Sequence, residues 1–118
     1  MTIYIAGGIT GVEDYKARFE AAKRMLLREG EDRPISMEHY YGTPRADKVL
    51  NPAELPEGWP GKVYMDVCLA MIRAADLVVF LPGWEQSRGA SLEMQYCRYQ
   101  IKPVYKIEED ELEGWMED

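Results

Sequence analysis

Apolar positions along the chain switch repeatedly between a period of two or less and a period near 3.6. The run "TIYIAGG" (residues 2–8) joins β-branched and aromatic residues and stops at glycine, which predicts a buried first strand. In "VEDYKARFEAAKRMLLREG" (12–30), Tyr15, Phe19, Ala22, Met25 and Leu26 recur at helical spacing, with Gly30 as the C-terminal stop. Residues 31–48 are the least regular, broken by Pro34, Gly42 and Pro44, with room for a short strand near Ile35. "VLNPAEL" (49–55) is a second strand candidate ending at Asn51-Pro52, and "PEGWPG" is a loop. "KVYMDVCLAMIRAAD" (62–76) predicts an amphipathic helix with Val63, Val67, Ala70, Met71 and Ala74 as its apolar face. "LVVFLP" (77–82) is the clearest buried strand, "ASLEMQYCRYQI" (90–101) the next helix and "KPVYKI" (102–107) the last strand.

Strands alternating with single helices predict a parallel sheet with right-handed crossovers, hence a Rossmann-like or flavodoxin-like α/β domain of three layers with four or five strands. At 118 residues the chain is long enough for one domain with its own core. No run approaches the ~18 apolar residues of a membrane span, and the N-terminus lacks the layout of a secretory leader. Cys68 and Cys97 sit in helical patterns without a CxxC or histidine partner, so neither a zinc site nor a disulfide framework is expected. A cytoplasmic protein without a membrane partner is the expectation.

Charge adds one feature. The net −7 belongs to "EEDELEGWMED" (108–118), which carries seven acidic and no basic side chains; the rest is formally neutral. Such a tail predicts a solvated terminus, and a body without basic surplus argues against nucleic acid as a partner.

Two loops carry candidate chemistry. In "AGGITG" (6–11) Gly7, Gly8 and Gly11 allow close backbone approach to a ligand, but the spacing is neither the G-x-G-x-x-G fingerprint nor a Walker loop. A simple tight turn is the competing account. In "LPGWEQSRGASLEMQ" (81–95), Ser87, Gly89 and Ser91 approach or begin the helix that carries Glu93. Amides at a helix start attract anions, Ser87 can donate a further hydrogen bond, and Arg88 could add charge. The structural alternative is a serine N-cap with Glu93 completing a capping interaction.

Taken together, "YIAGGITG", "NPAEL", "YM" and "ADLVVFLPGWEQSRGASLE" resemble the nucleoside 2-deoxyribosyltransferase superfamily over roughly residues 2–106, with 31–48 as an insertion. More closely, they resemble a DUF4406-like branch common in phage and bacterial genomes. The resemblance implies cleavage of the N-glycosidic bond of a deoxynucleoside or deoxynucleotide by a glutamate that attacks C1′, here Glu93. It implies that Tyr4 reaches the same site and that Gly7, Gly8, Ile9 and Gly11 lie against the nucleotide. Serine rather than aspartate six residues before the glutamate is the pattern of the deoxynucleoside 5′-monophosphate N-hydrolases. Ser87 therefore points to a phosphate, with Arg88 and Gly89 beside it.

One position departs from the pattern. Where active relatives carry an aspartate that assists departure of the base, this chain has Cys68. Asp66 is the nearest carboxylate candidate, but two residues turn a helix by about 200°. Trp84 is a candidate to stack on a base, Trp59 less so; Asn51 is either a ligand contact or a turn starter, and His39 is expected at the surface. The resemblance implies no metal or organic cofactor, and a homodimer or larger homo-oligomer. A nucleotide-binding or sequestering protein that leaves its ligand intact is the alternative.

Overall fold

The computed structural model describes residues 1–28 and 42–116. His39, Pro34, the strand suggested near Ile35 and Gly30 lie outside the described residues. β1 (Thr2–Ala6), β2 (Lys48–Leu50), β3 (Leu77–Phe80) and β4 (Val104–Lys106) form one sheet in the order β2-β1-β3-β4, every neighbouring pair parallel. The helices among the described residues are α1 (Tyr15–Leu27), α2 (Gly61–Ala74), α3 (Arg88–Tyr99) and α4 (Glu109–Met116). This is the expected parallel α/β domain, with four strands and the strand order of flavodoxin-like folds.

Alternation along the strands divides the core. Ile3, Ile5, Val79 and Leu81 face one side and pack with Phe19, Ala22, Met25 and Leu26 of α1 and Leu112 and Trp115 of α4. Tyr4, Ala6, Val78 and Phe80 face the other and meet Cys68 and Ile72 of α2 and Met94 and Cys97 of α3. Successive strand residues must point to opposite faces, so a strand covered on both sides reads as a continuous apolar run. "IYIA" and "LVVF" are such runs.

Three expectations need correction. Residues 109–116 of the acidic tail are not a solvated terminus but α4, with Leu112 and Trp115 buried against α1. Leu112, Trp115 and Met116 stand three and four residues apart and make one apolar stripe that the surrounding charges conceal. The buried stripe of α2 is Cys68 and Ile72, whereas Val63 is 38 % exposed and Ala70 and Ala74 lie at the surface. That is a rotation of one residue, about 100°, from the expected face. The helix is apolar on more than one side, and its docking against Tyr4 and Phe80 selects which side is covered. Finally, α1 ends at Arg28 (φ 60°), before Gly30. The Arg28 guanidinium donates to the Met25 carbonyl at 2.7 Å and the Thr43 carbonyl at 2.9 Å, which holds a non-glycine residue in the left-handed region.

Candidate functional site

In the order β2-β1-β3-β4 the chain leaves β1 toward one edge of the sheet and leaves β3 toward the other. Connections that diverge in this way open a crevice outside the carboxyl ends of the two central strands. A cleft of about 650 Å³ occupies that place, lined by Tyr4 of β1, the loops after β1 and β3, the β2–α2 segment and the facing sides of α2 and α3.

Glu93 forms its floor. The buried residues of α3 are Ala90, Glu93, Met94 and Cys97, the i, i+3, i+4, i+7 stripe of a core-facing helix, so a carboxylate stands where an apolar residue is the norm. It is 6 % exposed, and Oε2 accepts a 2.8 Å hydrogen bond from the hydroxyl of Tyr4, itself 1 % exposed. Burial pushes the Glu93 carboxyl up from 4.5 to about 7, and hydrogen bonds from Tyr4 and then Cys68 oppose the shift. The same burial and the Glu93 charge hold the Tyr4 phenol well above its ordinary value. Desolvation raises the Cys68 thiol, against a hydrogen bond with Tyr4 that lowers it. Cys97, deeper on α3, is raised to about 11 by burial and the Glu93 charge. A buried carboxylate balanced near neutrality beside two protonated donors has the chemistry that a nucleophile or general base requires.

The start of α3 supplies the cleft's polar wall. Ser87 is the N-cap, its Oγ accepting from the Ala90 amide at 3.1 Å. The capping reading of Ser87 therefore holds, while Glu93 takes no part in the cap: a capping box would need its acid at position 90, which is alanine. An Oγ that accepts from the helix still has its own proton to donate outward. Intrahelical bonding starts with the Ser91 amide to the Ser87 carbonyl, so the Arg88 and Gly89 amides precede the ladder, and both residues line the cleft.

The remaining candidates divide. Gly7 and Ile9 line the cleft, whereas Gly8 and Gly11 are not among its lining residues. At Gly7 a Cβ would lie 3.0 Å from Leu81 Cβ and Cδ1, so glycine here permits the β1 and β3 ends to approach. A Cβ at Gly8 would meet Ser87 Cβ at 3.4 Å, which places the two loops side by side. Trp84 packs on Phe80, ring centroids 5.2 Å apart, with Lys106 Nζ 5.5 Å over its ring, and lies outside the lining residues. Trp59 packs on Tyr64 in a tilted arrangement, ring centroids 5.2 Å apart, and is not among the lining residues. Asn51 is the turn starter: its Oδ1 accepts from the Ala53 amide at 2.9 Å. Asp66 is not brought to the cleft; it faces solvent and pairs with Lys62 at 3.0 Å one turn away, as its 200° offset from Cys68 requires.

Pattern reading missed Tyr15, the Pro52–Leu55 turn, Tyr64 and Met65, which build the apolar wall opposite α3. The available signal was spacing: Tyr64 and Met65 lie four and three residues before Cys68, on the same side of α2.

The chain is a doubly wound parallel α/β domain with a carboxylate-floored cleft at its switch point, the place where domains of this class offer room for a small ligand. Within that class the chain belongs to the family described as Domain of unknown function (DUF4406), whose model matches residues 1–106. No curated protein and no solved structure matches the chain. No helix among the described residues is long and apolar enough to cross a membrane.

Proposed function

We propose that the protein is an N-glycosidase or deoxyribosyltransferase acting on a nucleoside or its 5′-monophosphate, with Glu93 as nucleophile. The observation that carries this reading is the buried Tyr4–Glu93 pair on the floor of the cleft. The ionised carboxylate attacks C1′, the C1′–N bond breaks with its electron pair passing to the base, and a glycosyl ester forms on Glu93. Water, or the nitrogen of a second base, then attacks C1′ and restores the carboxylate. Tyr4 acts on the oxygen it holds, directing the other toward the sugar. The serine cap and the first amides of α3 suit a 5′-phosphate at the cleft's polar end, whereas an aspartate at position 87 would repel it.

Cys68 favours a second reading. A buried thiol beside Glu93 is a weak acid, and a protein that binds nucleotide without cleaving it needs no acid at all. Chromatography separates the two readings: parent and Glu93→Gln proteins are incubated with deoxynucleosides and their 5′-monophosphates, and free base is measured. Base released by the parent alone supports the glycosidase. Saturable binding without release from any substrate supports the binding protein.

The same resemblance to transferases that complete their site from a neighbouring subunit makes a homodimer or larger homo-oligomer part of this proposal.

A further inference from the structure

On the reading of Glu93 as nucleophile, we infer that the cleft is built for glycosides of an already cationic heterocycle, an N-ribosylpyridinium being the simplest, because among the described residues that line it no carboxylic acid besides Glu93 stands free to protonate a leaving base.

A neutral base departs from C1′ as an anion unless a proton reaches it, and general acids contribute about 10²–10⁴-fold to such steps. Among the described residues lining the cleft, the carboxylates are Glu93 and Glu57. Glu93 is committed to the sugar. Glu57 stands at the rim with its carboxylate hydrogen-bonded to Lys16, and that bond and charge hold it below the ordinary range, hence ionised. Asp66 points away into solvent. The Tyr4 proton is engaged by Glu93 itself, and the Cys68 thiol is held protonated by burial.

A pyridinium glycoside avoids the difficulty. When the C1′–N bond breaks, its electron pair cancels the ring's positive charge and the heterocycle leaves neutral, with no proton transferred. Water then attacks C1′ of the Glu93 ester, the C1′–O bond returns its electrons to the carboxylate, and the surplus proton passes to solvent. Two features of the cleft favour such a ring. Its apolar wall includes the rings of Tyr15 and Tyr64 with Leu55 and Met65, a surface suited to a flat cation. A positive charge beside Glu93 also favours the ionised carboxylate, so this ligand would generate its own nucleophile on binding.

The test uses the full chain with nicotinamide riboside and its 5′-monophosphate against deoxyadenosine and its 5′-monophosphate, each rate divided by its spontaneous rate. The pyridinium glycosides are expected to show at least about 10²-fold the enhancement of the adenine glycosides. Across ring-substituted pyridinium ribosides, kcat/KM should fall steeply as the departing pyridine becomes more basic. Equal enhancement for adenine release, or no dependence on the departing pyridine, overturns the inference and leaves Glu93 catalysis standing. No heterocycle released from any glycoside overturns both.

Discussion

The Tyr4 hydroxyl on β1 donates to Glu93 Oε2 on α3 at 2.8 Å, joining two side chains that are each more than nine-tenths buried and 89 residues apart in sequence. The bond spans the layer between sheet and helices and fixes the one carboxylate that interrupts the core face of α3.

Replacing Tyr4 by phenylalanine removes the largest influence that opposes burial at Glu93, so the carboxyl should titrate above its present value of about 7. Activity that depends on the ionised carboxylate rises with pH through this value in the parent, and in Tyr4→Phe the rising limb should move to higher pH. The lost hydrogen bond to a buried acid should also cost about 1–3 kcal/mol of stability. A pH–rate profile and a denaturant titration read the two effects, and a limb that stays in place would remove Tyr4 from any role in tuning Glu93.

Glu93 should make stability depend on pH. The folded protein holds the carboxyl proton to about pH 7, while the unfolded chain releases it near 4.5. Stability is therefore lost as pH rises between these values and is constant above them, a total of about 3 kcal/mol. Glu93→Gln lacks that titration, so its advantage over the parent should grow from pH 4.5 to pH 7 and then level off. Thermal unfolding of both proteins at pH 5 and pH 8 measures the difference; an equal gap at the two values contradicts the account.

At Ser87 the cap and the proposed phosphate contact can be separated. Ser87→Ala should cost about 1 kcal/mol through loss of the N-cap. Ser87→Asp keeps an oxygen for the Ala90 amide but places a negative charge at the cleft wall. It should retain most of the stability while losing any preference for 5′-monophosphates over nucleosides, read as the ratio of their kcat/KM values.

Helix α4 should be indispensable although the family match ends at residue 106. Trp115→Ala is expected to cost about 3–5 kcal/mol and Leu112→Ala about 2–5, whereas the exposed Glu113→Ala should change stability by less than about 0.5. Glu111 adds a polar anchor, its carboxylate accepting from Thr43 and from Tyr105. Urea unfolding of the three variants checks the order.

The order of elements was legible because the central strands are buried on both faces. A run such as "LVVF" has no amphipathic reading and needs helices on either side. Ser87 and Glu93 were legible as a loop leading into a helix, and their pairing only through the family resemblance; the structure brings them with Tyr4 and Gly7 to one cleft. What could not be read was rotation and docking. Apolar residues surround α2, so sequence alone could not choose between the Val63–Val67 face and the Cys68–Ile72 face; contact with the sheet decides. Trp84 could not be placed for a similar reason: its nearness to Ser87 in sequence says nothing of Phe80, against which its half-buried ring packs. In the tail, seven charges outweighed three apolar residues whose helical spacing matters only once α1 offers them a surface.

The most direct test of Glu93 as nucleophile is to trap the glycosyl ester. The parent protein is quenched in acid during turnover of a 2′-fluoro glycoside, whose fluorine slows hydrolysis of the ester, and its peptides are weighed by mass spectrometry. The account predicts the added mass of one sugar on the peptide carrying Glu93, and none in Glu93→Gln. Heterocycle release that persists in Glu93→Gln, or a sugar attached to any other residue, would contradict it.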